Sequence, residues 1–97
     1  MRKTLHEKGT AKFVLLLGND RSYFLASDVS ADLHSDIVEK IDCQRCLGGG
    51  RLTIKEDSVI AYGYSIGYGQ AESKMVEKLL REEFPNREII MRMGQGY

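Results

Sequence analysis

Three consecutive glycines closed by an arginine, Gly48-Gly49-Gly50-Arg51, and a second glycine-spaced run, Tyr62-Gly63-Tyr64-Ser65-Ile66-Gly67-Tyr68-Gly69, most constrain what this chain can fold into. Glycine weakens a strand, because it costs backbone entropy and offers no side chain to pack. Its concentration in two strand-like segments therefore marks places where something approaches the backbone closely. Bare main-chain N–H groups at such places can face an anion, and a phosphoryl group is the expected ligand. Ordinary bulges and turns account for the same spacing, so both readings stand at this point.

The chain's 97 residues and 42% apolar content suit one domain with one core. Fourteen basic and fourteen acidic side chains cancel. That balance argues against a sequence-independent grip on nucleic acid, which needs a cationic face. No apolar stretch approaches the roughly 20 residues that span a bilayer, and Met1-Arg2-Lys3 is not followed by the apolar run of a signal peptide. A cytoplasmic location without membrane contact is expected. Cys43 and Cys46 form a single C-x-x-C with no second pair, and both histidines, His6 and His34, precede it. This is at most half a zinc site, so reduced thiols and no metal are expected. A redox pair would want its first cysteine at a helix N-terminus, whereas this one precedes a glycine-rich strand.

Residues 1–10 are polar and aperiodic and read as a flexible tail, with one domain over 11–97. Lys12–Leu17 and Ser22–Leu25 read as strands joined through Gly18-Asn19-Asp20 in a hairpin. Ser30 can cap a helix over about 31–41, with Leu33, Ile37, Val38 and Ile41 on one stripe and Asp32 near its positive end. Arg45–Ile54 and Ser58–Ser65 form a second hairpin around Lys55-Glu56-Asp57. In its later strand, Ile60, Tyr62 and Tyr64 alternate with Val59, Ala61 and Gly63, which suggests a bulky face against a helix and a small-residue face near something else. A second helix over about 70–84 gathers Met75, Val76, Leu79, Leu80 and Phe84 on one face, and Pro85 ends it. Glu88–Met93 is the last strand, giving the order ββαββαβ.

Several side chains in this scheme could carry chemistry. At the start of the first helix, His34 would be kept neutral by the positive end of the helix dipole, a state suited to a general base near pH 7. It also suits an ordinary core-edge histidine. Lys12 reads as a snorkelling edge residue or as an anion ligand. Arg51 has a planar fork that grips phosphate, and the adjoining glycines leave it accessible. Ser65 lacks a nucleophile-elbow context, which leaves it a hydrogen-bonding role. The run Gly67-Tyr68-Gly69-Gln70 is neither a Walker loop nor a dinucleotide fingerprint, so phosphate without nucleotide is indicated. The five tyrosines suit core-edge packing, since a single-strand-binding platform would interleave basic residues.

From Lys12 to Tyr97 the chain resembles the phosphohistidine phosphatase, or janus/ocnus, family. The resemblance rests on Leu33-His34-Ser35-Asp36-Ile37, Cys46-Leu47-Gly48-Gly49-Gly50-Arg51, Tyr62-Gly63-Tyr64-Ser65 with Tyr68-Gly69, and Gly96-Tyr97. It implies an α/β (α+β) domain whose mostly antiparallel mixed sheet lies between two helices. It also implies a cofactor-free, metal-independent, monomeric hydrolase of the P–N bond of phosphohistidine. The implied substrate is a phosphohistidine-containing protein or a small phosphoramidate, with phosphate ion as a further ligand. By the same analogy, His34 is the general base, Lys12 and Arg51 neutralise the phosphoryl oxygens, and Ser65 with the backbone at Ile66 and Gly67 completes an oxyanion cradle. The chain departs from the family pattern at four places. Phe24–Ser27 lacks a basic residue, with only Arg21 nearby; Ile66-Gly67 replaces Met-Ala; Ser73 replaces a histidine; and Cys43 has no counterpart, although Cys46 does. A non-catalytic phosphate- or phosphoprotein-binding module of the same fold is the alternative that these departures keep open.

Overall fold

Short apolar runs and alternations build five strands, and two amphipathic stripes build the helices packed on them. In the computed structural model, which describes residues 4–93, these are β1 (Gly9–Leu17), β2 (Tyr23–Asp28), α1 (His34–Val38), β3 (Arg45–Ile54), β4 (Ser58–Gly63), α2 (Ser73–Glu83) and β5 (Glu88–Met93). The order ββαββαβ and the mixed, mostly antiparallel sheet agree with expectation. The strands lie β2-β1-β3-β4-β5, and only β4 and β5 run parallel. No helix among the described residues is long and apolar enough to cross a membrane.

The two sheet faces carry separate cores. Phe13, Leu15, Leu25, Leu52, Ile54, Val59, Ala61 and Ile89 meet Val76 and Leu80 of α2, with Met75, Leu79 and Phe84 packed around them. Burying each of the larger side chains is worth roughly 1.5–3 kcal/mol, so the apolar stripe holds α2 in place. Glu72 caps this helix by accepting the Met75 N–H at 2.6 Å. On the opposite face Val14, Leu16 and Ala26 meet Ile37 of α1. The small-residue side of β4 is thus the one beneath α2, while Ile60 and Tyr62 are half-buried on the other face. This reverses the facing expected from side-chain size, because the wide α2 fills the room that Ala61 and Gly63 leave.

Two further expectations change. Ser30 does not cap α1: its N–H and hydroxyl both bond Asp28 Oδ1, at 2.9 and 2.7 Å, in a tight turn. The helix begins only at His34, with Asp36 Oδ2 accepting the Leu33 N–H at 3.0 Å, and Leu33 is 62% exposed rather than core-facing. Three-residue turns carry the chain on as far as Ile41. Residues 4–10 are not a loose tail either. Ser27 N–H donates to Thr4 O at 2.8 Å, the Thr4 hydroxyl bonds Leu25 O, His6 N–H donates to Ser27 Oγ, and β1 starts at Gly9. Met1–Lys3 and the terminal Gly96-Tyr97 pair lie outside the described residues.

Candidate active site

His34, the first residue of α1, is buried, with 7% of its surface exposed. Its ring lies on Gly49 of β3: a Cβ there would stand 2.8 Å from His34 Cδ2, 3.3 Å from Nε2 and 2.6 Å from the Phe13 carbonyl oxygen. Nε2 is 2.9 Å from Gly50 O. A carbonyl only accepts, so Nε2 carries the proton and Nδ1, on the opposite edge of the ring, keeps its lone pair. The imidazole pKa lies below its ordinary 6.5. Burial is the main cause, and the charges of Lys12 and Arg51 add to it against the opposing Gly50 bond. Desolvation and two cations therefore keep the ring neutral.

Cross-strand register brings those cations to it. Lys12 in β1 is the direct partner of Arg51 in β3, so both side chains leave the sheet on the face that carries His34. Lys12 stands on an interior strand, between β2 and β3, and is not an edge residue. Its partner on β2 is Asp28, whose carboxylate is turned to Ser30 and to Lys40 Nζ at 3.1 Å. The Ser30 hydrogen bonds, with help from Lys40, hold its pKa at about 2. Arg21, the nearest basic residue to the second strand, sits exposed in the β1–β2 turn with φ 68° and does not line the site.

The second glycine run shapes the far wall. Ser65 and Gly69 exchange backbone hydrogen bonds at 3.0 and 2.7 Å, and buried Ser65 Oγ accepts the Tyr68 N–H at 3.1 Å. This folds 65–69 into a closed loop. Within it the N–H groups of Ile66 and Gly67 make no hydrogen bond among the described residues. The loop docks on β3 through Gly49 N–H to Gly69 O at 3.0 Å. Gly48, at φ 126° in an irregular register, permits this, since a Cβ there would stand 2.7 Å from the Gln70–Ala71 backbone.

The three glycines therefore do not present a nest of amides to a ligand, as their spacing suggested. They are strand interior. Gly48 makes room for the loop, Gly49 for the imidazole, and Gly50, where a Cβ would meet Tyr62 O at 2.5 Å and the Phe13 ring at 2.9 Å, for the core.

Lys12, His34, Arg51, Ser65, Ile66 and Gly67 all line one cleft of about 810 Å³, along with Asp32, Leu33, Ser35 and Tyr68. The last four carry no chemical motif of their own. Adjacency to His34 or to the Ser65 loop was the one sequence signal for them. Ile66 is 91% exposed, and Tyr64 and Tyr68, like Tyr23, stand outside the core edge expected for them. A second cavity, about 210 Å³ between residues 4–5, β2 and α2, has Glu82 and Glu83 in its wall and neither a cation nor a histidine. Among the described residues no group of three or more histidine, cysteine, aspartate or glutamate side chains is placed to hold a metal ion. Cys43 and Cys46 are free thiols packed beside the α1 core, and burial raises the Cys46 pKa. A neutral imidazole, two cations and two loop amides without a hydrogen bond among the described residues, all in one cleft, suit a tetrahedral dianion and the water that would attack it.

Known proteins can now be set beside this geometry. A protein of Sus scrofa named 14 kDa phosphohistidine phosphatase is 33% identical over 70 residues, covering 61% of this chain and 55% of that protein. Its namesake in Homo sapiens is 31% identical over 70 residues, with the same coverage. The chain thus spans about half the length of the curated relatives it matches. The family model described as Janus/Ocnus matches residues 2–88. A match running from the N-terminal segment into β5 makes this chain a member of the Janus/Ocnus family.

Proposed function

We propose that this protein is a metal-independent phosphatase that hydrolyses the P–N bond of phosphohistidine, with His34 as general base. The observation that carries the reading is the neutral imidazole, Nε2–H committed to Gly50 O, in one cleft with Lys12 and Arg51. Lys12 and Arg51 neutralise two phosphoryl oxygens, and the Ile66 and Gly67 amides, held in place by Ser65, take the third. Water attacks phosphorus while Nδ1 of His34 takes its proton. The new O–P bond forms as the P–N bond breaks, and the proton passes to the departing substrate nitrogen, so the products are inorganic phosphate and histidine. A phosphoramidate needs little more than positioned charge and one proton-transfer group. Names of the porcine and human relatives support the substrate class. Exposed Leu33 and Ile66 at the mouth support a polypeptide rather than a small phosphoramidate as the natural substrate. In this reading the enzyme acts as a cytoplasmic monomer without a cofactor.

The test is His34→Ala, assayed for phosphate release from a phosphohistidine peptide beside a phosphotyrosine peptide, with and without chelator. Removing a general base costs about 10²–10⁴-fold in rate. We expect that loss on phosphohistidine, indifference to chelator, and phosphate-induced NMR shifts at Ile66 and Gly67 that persist in the variant. Unchanged turnover in His34→Ala rejects the assignment. Phosphate shifts in the unmodified protein without any turnover point to a phosphoprotein-binding module instead.

A further inference from the structure

The charged row does not stop at the cleft. Asp28, Lys12, Arg51, Tyr62 and Arg92 are successive cross-strand partners, one from each strand, so all five lie on one line across the same face. Over that face α1 covers β1 and β2, while α2 occupies the opposite side, so the β3–β5 half carries no helix. Arg92 is exposed on it and forms no ion pair among the described residues. The row's single carboxylate, Asp28, is already engaged by Ser30 and Lys40. The next row, Thr53, Ile60 and Ile90, is uncharged, and Glu88 lies four residues back along β5. Beyond the phosphoryl site, then, the open sheet offers a positive charge whose own row holds no carboxylate except the engaged Asp28 and whose adjoining described row holds none.

We infer that Arg92 is a substrate-positioning residue that receives an acidic side chain of the polypeptide carrying the phosphohistidine. Strands lie about 4.8 Å apart, which sets Arg92 about 10 Å from Arg51, and an extended chain covers that span in about three residues. The favoured substrate therefore carries Asp or Glu two to four residues from its phosphohistidine. This inference rests on the phosphatase reading for its substrate, but Arg92 is outside the groups assigned to the chemistry.

The experiment uses short phosphohistidine peptides bearing Asp, Ala or Lys at positions two to four on both sides. Binding and kcat/KM are measured for the unmodified protein and for Arg92→Glu, with Arg92→Gln as the uncharged control. An exposed ion pair is worth a factor of about three. We expect the Asp series to exceed the Ala series by about threefold and the Lys series to fall below it. Arg92→Glu should reverse that order, Arg92→Gln should level it, and about 1 M salt should erase it. Free phosphohistidine should be handled alike by all three proteins. Equal treatment of the peptides by the unmodified protein, or an order that survives Arg92→Glu, overturns the inference. Acid-dependent binding without hydrolysis of any peptide would instead sink the phosphatase reading and leave the Arg92 subsite standing.

Discussion

Gly49→Ala tests whether the site depends on the seat beneath His34. The added methyl would stand 2.6 Å from the Phe13 carbonyl oxygen and 2.8 Å from His34 Cδ2, where ordinary contact begins near 3.4 Å. Phe13 belongs to an interior strand paired on both sides, so its carbonyl gives little, the Gly49 backbone must shift away from it, and the imidazole must give way to the methyl. Overpacking of this kind costs about 1–3 kcal/mol, partly offset by about 0.4–1 kcal/mol from the stiffer unfolded chain. For a domain of this size each net kcal/mol lowers Tm by roughly 4–8 °C. The displaced ring also loses its 2.9 Å bond to Gly50 O, and a misplacement of about 1 Å costs on the order of 10²-fold in rate. Thermal unfolding and phosphohistidine hydrolysis should therefore fall together. Gly67→Ala is the comparison: a Cβ there meets nothing within 4 Å, and its stability change should stay within about 0.5 kcal/mol. A Gly49→Ala protein with unaltered Tm and turnover would refute the account of why the glycine is there.

Three further outcomes follow from the same geometry. Because His34 titrates below 6.5 when folded, kcat/KM should be flat above that pH and fall on its acid side, and Lys12→Ala, which removes one cause of the lowering, should move the limb upward. The unfolded chain takes the proton more readily, so the contribution to stability is whole above about pH 6.5 and declines as pH falls toward the folded pKa; urea unfolding at pH 7.5 and 5.5 should show this loss shrinking in His34→Gln. Ser65→Ala should cost about 1 kcal/mol by stranding the Tyr68 N–H and should raise KM several-fold by loosening the Ile66–Gly67 turn, read by thermal unfolding and steady-state kinetics.

Much of the architecture could be read from periodicity. Arg45–Ile54 and Glu88–Met93 have the bounds their composition suggested, and the Val76–Leu80 stripe meets the core as its 3.6-residue spacing requires. What could not be read depended on partners distant in sequence. Alternation in β4 sorts residues into two sets without saying which set a helix will cover, so side-chain size alone puts Val59 and Ala61 on the wrong side. Ser30 has the chemistry of a cap, but Asp28 captures its hydroxyl first, which delays the helix until His34. The residues of the cleft were legible as types. The purpose of the glycines was not, because Gly48 through Gly50 answer to Ala71, His34 and Phe13, none of them a sequence neighbour.

The segment Thr4–His6, strapped along β2, has a bearing on how the molecule behaves in company. A bare strand margin with unmet amides and carbonyls is a template for another copy's backbone. On the β2 side the Ser27 amide and the Leu25 carbonyl are already satisfied from within the same chain. Cross-molecule ribbon growth is thereby blunted at that border, while Lys12 and Arg51 stand on the interior strands β1 and β3, away from it.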